Sequence, residues 1–515
     1  MNEHINKLYD KILLLTFPFF CYLALIVKWG YEFGRGDQME ILPYSLILNG
    51  NQNFQNDFFF QSITQVLPNE RWIISKLISS FGSQTELLVF CVHLLSTLLL
   101  IHGMEKLGFI LIKNKLAARI SIFITLVLFN YYYNLGGNEL YYNNLQGSNI
   151  AKSIGIWSLY FLFKKEFNYT ALCILIATLF HPIVGFQLGI IFIGVLFYDY
   201  IQKDFKNYLQ LVIPLFLIGI SFIYIFFIQQ SYNEANKGFS DSNFSQIIFH
   251  FRNGHHYIPN QFQLNGWILL ISCFLSSLLF FWQNKRMKIW LITSLFFILI
   301  YCLALFLEFI PIISMQAFKI TIWIKYIGVL GFFGFLYNHF TTFFKFKFKN
   351  IELPTYLLGI LLGIFFLIFA PKAFFPDNVK YDFGHQSAND DAIKISLLAK
   401  KATSKDALFI VPSNFTEIAY YGQRSCFVSD KANPKYPKAA NQWAYRIFLI
   451  YGLDYKLKKT NWNLANLNYE NNLIKGSLDF KKLGITNIIC TTELGKKYKL
   501  IGEEGKYKLY QLVVN

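Results

Sequence analysis

The feature that most limits this chain is the recurrence of apolar runs of about 20 residues through its first three quarters. A stretch of that length crosses a bilayer as one helix. Backbone amides inside lipid have no water to bond, so such runs fold as helices packed on one another. The pattern predicts membrane helices near 12–29, 86–105, 116–134, 149–163, 169–181, 182–200, 207–230, 262–283, 288–309, 321–343 and 354–371. The fifth and sixth meet at His181-Pro182 and read as an interrupted hairpin. Trp72 to Phe81 is too short to span and reads as an interfacial helix. The first run has no small-residue cleavage site after it, which makes it an uncleaved membrane helix rather than a signal peptide.

Charge orients this array. With the N-terminus inside, each inner connection is basic, as in Lys113-Asn114-Lys115 and Lys285-Arg286-Met287-Lys288. This is the positive-inside pattern. It removes nucleic acid as the explanation for a formal net charge of +17. An odd number of spans places everything after Pro371 outside. The expected organisation is a transmembrane helical domain over 1–375 and a small exoplasmic α/β domain over 376–515, mainly α overall, in a bacterial inner membrane. In the second part Asp390 to Lys401 reads as an amphipathic helix. Ala407 to Val411 and Ile485 to Cys490 read as buried strands, and Tyr498–Ile501 and Tyr507–Val513 as a hairpin around Gly502–Gly505. Cys426 and Cys490 stand in polar surroundings where an oxidising face allows a disulfide. Five further cysteines fall in apolar runs and pack there.

Unusual chemistry gathers in the outer connections. Gly34-Arg35-Gly36-Asp37-Gln38 follows the first span closely. Ionisable groups beside a membrane are functional candidates by default, and glycines let the backbone turn tightly around them. Asp37 can act as a general base, hold a metal ion or pair with Arg35. Glu139 is the sole charge in an aromatic, asparagine-rich loop. Arg252-Asn253-Gly254-His255-His256 combines an anion-binding guanidinium with two imidazoles. His181 sits at a proline break where freed carbonyls need partners. Lys319, and Lys325 deeper in the next span, offer ammonium groups to a phosphate. Tyr420 to Arg424 is a candidate surface for folding back over the outer loops.

Together, the many spans, the long first outer loop with Asp37 soon after the first helix, and the C-terminal α/β domain resemble the GT-C class of membrane glycosyltransferases. The chain also resembles a group of uncharacterised bacterial polytopic membrane proteins. That second resemblance rests on the GRGDQ stretch, the Arg-x-x-His-His loop, the His-Pro break and the segment ALFIVPSN…YYGQRSCFVSDK. The GT-C resemblance implies transfer of a sugar from a polyprenyl-phosphate donor to an acceptor outside the cytoplasm, with Asp37 as base or metal ligand. Arg35, Arg252, Lys319, His255, His256, Glu139 and His181 are expected to bind substrate or phosphate. Asp37, His255 and His256 are the candidate ligands for a divalent cation. The expected partners are the bilayer and a lipid-linked sugar, with no nucleic acid. A WWDYG-type acceptor motif and a second acidic pair in the first loop are absent. A transporter or flippase, or a scaffold for envelope assembly, stands as the alternative.

Overall fold

Apolar repetition of this kind yields a mainly helical molecule. The computed structural model describes residues 2–203, 208–239, 243–343, 381, 383, 390–457, 461–476 and 478–512. The expected helix at 354–371 and the boundary at 375 lie outside those residues. Five described helices are long and apolar enough to cross a membrane: Gly82–Ile112, Pro182–Ile201, Leu209–Ala235, Lys285–Phe306 and Ile310–Tyr337. Thr16–Trp29, Phe167–Phe180 and Leu264–Phe280 are shorter and apolar.

The run expected as one span over 116–134 is instead a helix, Lys115–Phe123, that widens into a π turn over Ile124–Leu128. The chain then leaves helical geometry through the Tyr131–Tyr133 loop. Lys325 holds that exit, donating from Nζ to the carbonyls of Phe129 and Tyr132. Small residues let the helices meet closely, as expected where lipid gives no hydrophobic drive to association. A Cβ on Gly328 would lie 2.5 Å from the Cα of Cys273, so Leu264–Phe280 and Thr321–Phe343 pack almost backbone to backbone.

The C-terminal portion forms a five-stranded sheet of order β2-β1-β3-β5-β4. Its strands are β1 (Leu408–Ile410), β2 (Ser425–Cys426), β3 (Asn487–Cys490), β4 (Tyr498–Glu504) and β5 (Tyr507–Leu512). The first three run parallel, and β5 pairs antiparallel with β3 and β4. Alternate residues face opposite sides of a strand, and both faces are covered. Phe409, Ile489 and Leu509 pack with Ile395 and Ala399 of the helix Asp391–Ala402. Ile488, Cys490 and Tyr510 pack toward the helices Pro437–Tyr451 and Ala465–Lys475.

Two expectations change here. Cys426 and Cys490 are both free. They lie two strands apart, and their side chains enter cores on opposite faces of the sheet, so no disulfide joins them. The expected turn at Gly502–Gly505 is tighter. Strand β4 runs on to Glu504, with a register shift at Leu500/Gly502, and Gly505 makes the corner at φ +55°. The strand β2 and the helix Ala465–Lys475 were not expected. The first is two residues long, and the second is asparagine-rich with its buried residues eight apart end to end.

The sheet domain sits on the first loop. Tyr421 donates its hydroxyl to the carbonyl of Phe33 at 3.0 Å, and the amide of Gly36 donates to Thr416 Oγ1 at 3.1 Å. Buried Asp57 accepts from its own helix at Phe60 N (3.0 Å) and from Cys426 N (2.8 Å) in β2. The Tyr420–Arg424 stretch therefore does fold back onto the first loop, through Tyr421, Tyr420 against Phe33, and Gln423, which accepts from Asn53.

Candidate functional site

A cavity of about 540 Å³ lies between the helical bundle and the sheet domain. That volume suits a small or medium ligand. Asp37, Glu139, His181, Arg252, His255, His256 and Lys319 all line it. These seven were singled out from sequence segments up to 282 residues apart. The eighth, Arg35, faces away. It pairs with Asp390 at 2.9 Å and Glu417 at 3.2 Å in the sheet domain.

The GRGD turn positions Asp37. Gln38 N donates to Arg35 O and Met39 N to Gly36 O, starting the helix Gln38–Leu48. Asp37 is the N-cap residue of this helix, yet its side chain makes no capping bond. Its carboxylate is left for the cavity, where Lys431 Nζ lies 3.2 Å from Oδ1. Half of the carboxylate surface (49%) is exposed, and it is exposed to the cavity. Burial pushes the carboxyl up, but Lys431, Arg71 and Arg252 outweigh it and hold Asp37 below the usual carboxylate range.

One helical turn on, Glu40 accepts from Arg71 Nε at 2.6 Å, and Glu70 takes the other side of the same guanidinium. Tyr232 donates its hydroxyl to Glu70. Glu70 is also held below the usual range, because Arg71 and Lys435 overcome its burial. Glu40, Glu70, Arg71, Lys431 and Lys435 thus belong to the site, though sequence reading did not assign them to it. The adjacency Glu70-Arg71 before an interfacial helix was a usable signal. For Lys431 and Lys435, which arrive from the sheet domain, no local signal distinguishes them from other surface lysines.

The glycine pair Gly136-Gly137 joins the second loop to the histidines. His256 Nδ1 lies 2.8 Å from the carbonyl of Gly136, so that nitrogen donates and Nε2 keeps its lone pair. Gly137 is at φ +52°, and a Cβ there would lie 2.7 Å from His256 Nδ1 and 3.1 Å from His255. Glycine is required for both the conformation and the space. The two imidazoles lie against each other with centroids 4.0 Å apart and planes tilted by 41°. Burial, followed by Arg252, Lys319 and Lys431, pushes His255 down to about 4. Burial, then Lys319 and His255, pushes His256 well below the ordinary range. Both rings are therefore neutral near pH 7 and act as hydrogen-bonding surfaces rather than cations.

Arg252 donates from Nε to the carbonyl of Asp430 at 2.6 Å, with its guanidinium over the Trp462 ring. It fixes the strand of chain that carries Lys431. His181 caps the helix Pro182–Ile201, accepting from Val184 N at Nδ1, so its Nε2 holds the proton in the neutral ring. The backbone carbonyl of Glu139 accepts from buried Lys152. Lys319 lies where the helix path breaks: Gln316 is left-handed at φ +50° between Ile310–Ile313 and Ala317–Ile320. Lys325 lies away from the cavity, in the structural contacts described above. Among the described residues, no three His, Cys, Asp or Glu side chains are grouped to hold a metal ion, so Asp37, His255 and His256 are not gathered as one ligand set.

A family model described as a domain of unknown function (DUF6798) matches residues 390–450, which include Lys431 and Lys435. No curated protein matches the chain. Among solved structures, the chain is similar to the archaeal oligosaccharyltransferase AglB from Archaeoglobus fulgidus, in complex with an inhibitory peptide and a dolichol-phosphate. The identity is 10% and the TM-score 0.49, over 94% of this chain and 70% of that one.

Proposed function

We propose that this protein is a membrane glycosyltransferase of GT-C type, with eleven spans and an exoplasmic C-terminal domain over 376–515. It would transfer a sugar from a polyprenyl-phosphate donor to a hydroxyl acceptor. The observation that carries this reading is the meeting of Asp37 with Lys319, Lys431 and Lys435 in one cavity, which is also lined by apolar side chains (Ile225, Ile228, Ile248, Phe249). Glu40 and Glu70 are taken up by Arg71, which leaves the Asp37 carboxylate, three ammonium groups and the apolar lining to match an acceptor proton, a phosphate and an isoprenoid stem.

In this reading Asp37 takes the acceptor's hydroxyl proton as the acceptor oxygen bonds to the anomeric carbon. The bond from that carbon to the phosphate oxygen breaks, and the polyprenyl phosphate leaves with the electron pair. The lysines stabilise the charge that grows on the leaving phosphate. Arg252 positions Lys431 through Asp430. The resting Asp37–Lys431 pair makes Asp37 a weak base, because its proton affinity is depressed. A donor phosphate that draws Lys431 to itself takes away the largest part of that depression, so the base strengthens once the donor is bound.

The test is a transfer assay with labelled polyprenyl-phosphate sugars on the full-length protein in nanodiscs. Asp37→Asn should lower turnover at least about 100-fold, the range for a lost general base. Equal turnover by variant and wild type removes Asp37 from the mechanism.

A further inference from the structure

A second cavity, of about 800 Å³, lies on the far side of Arg35. Strand β1 is followed by β2 on one side and later by β3 on the other. The chain direction across the sheet thus reverses between β1 and β3. In open parallel sheets, ligands settle in the crevice beyond the carboxyl ends of the strands at that reversal. The cavity is there: Pro412 to Phe415 leave β1, Thr491 leaves β3, and Tyr507 opens the antiparallel neighbour β5.

The lining selects the ligand. Four carboxylates (Asp390, Asp391, Glu417, Glu470) face two cations (Arg35, Lys506). The balance is negative, opposite to that of the lysine-rich first cavity, and repels phosphates. Metal binding is not supported, since no three acidic or histidine side chains among the described residues form a cation cluster. The remaining groups are amides (Asn414, Asn466), hydroxyls and a half-buried Tyr507 ring edge-on to Phe415 at 5.1 Å. Carboxylates and amides pair with vicinal hydroxyls, and an aromatic ring lies against the apolar face of a pyranose. Glu470 accepts at Oε1 from the amide and the hydroxyl of Thr491, both at 2.9 Å, which holds its side chain at the crevice wall.

The crevice is also wired to the first cavity. Arg35 is two residues from Asp37. Asp430 holds the crevice turn through Ser413 Oγ and Asn414 N, both at 2.9 Å, while its carbonyl holds Arg252.

We propose that this crevice is a second binding site, for a neutral oligosaccharide. The proposal goes beyond the transfer reaction and stands even if the first cavity proves to do other chemistry. The experiment uses the full-length protein in nanodiscs and tetrasaccharides of glucose, mannose, galactose and N-acetylglucosamine, with binding read by calorimetry and saturation-transfer NMR. At least one should bind saturably. Glu470→Gln, which keeps the acceptor for Thr491, and Tyr507→Ala should each weaken it tenfold or more at unchanged melting temperature. Asp37→Asn should leave it unchanged. Three results overturn the proposal: no saturable saccharide binding; binding lost in Asp37→Asn but kept in both crevice variants; or displacement of the saccharide by inorganic pyrophosphate.

Discussion

Lys431 stands 3.2 Å from Asp37 and is the first of the cations that depress its proton affinity. If Asp37 must be ionised to act, the acid limb of kcat/KM reports its pKa in the free protein. Lys431→Met takes away the largest part of the depression, so the limb should move to higher pH, and a pH–rate profile of the transfer reaction checks it. An unmoved limb would mean that another group sets it. Asp57 behaves oppositely. Burial raises it to about 6, against the bonds from Cys426 and Phe60. An acid with a raised folded pKa is most favourable to folding when protonated. Stability from this group should therefore rise as pH falls from about 6 toward its unfolded value near 4, by about 3 kcal/mol at most. The melting temperature of wild type relative to Asp57→Asn should climb between pH 7 and pH 4.5. A difference that stays flat across that range would deny the shift.

At the scale of elements, the loop Gly136-Gly137 decides whether the histidine pair can sit against the cavity wall. Gly137→Ala meets both a left-handed φ and a clash with His256, whereas Gly82→Ala has the same sign of φ (+56°) with nothing within 4 Å. Gly82→Ala should cost about 1–2 kcal/mol of strain and keep turnover. Gly137→Ala should cost more and lower turnover at least tenfold. Equal losses in melting temperature and turnover would show that the contact with His256 is immaterial. The periodicity of helices was readable in the chain because lipid-facing and core-facing residues are alike apolar over the whole span. Its failures are local. The π turn at Ile124–Leu128 has the same composition as the α-helix it interrupts. The strand β2 is recognisable only by its partner β1, which a linear reading does not show.

On the scale of the molecule, seven of the eight residues chosen from the sequence share one cavity because scarce polar groups in an apolar chain are retained where they have partners. Arg35 was misplaced for the same reason: its partners, Asp390 and Glu417, lie more than 350 positions away. The proposed topology is checked with cysteines introduced at the exposed Lys497 and Lys164 in a Cys302→Ser background. A membrane-impermeant maleimide should label the former in intact cells and the latter only after permeabilisation; the reverse pattern inverts the orientation.

The roof of the first cavity carries its own timing. Lys431, Asn433 and Lys435 are made after every described membrane helix has left the ribosome. A nascent chain, already settled in lipid and holding Asp37 near Arg71 and Arg252, still lacks two of the three ammonium groups proposed to take the donor phosphate, Lys431 and Lys435, until the sheet domain follows. Maturation is thereby built into the order of translation: the enzyme proposed here stays inert toward its donor while unfinished, with no inhibitor needed to keep it so.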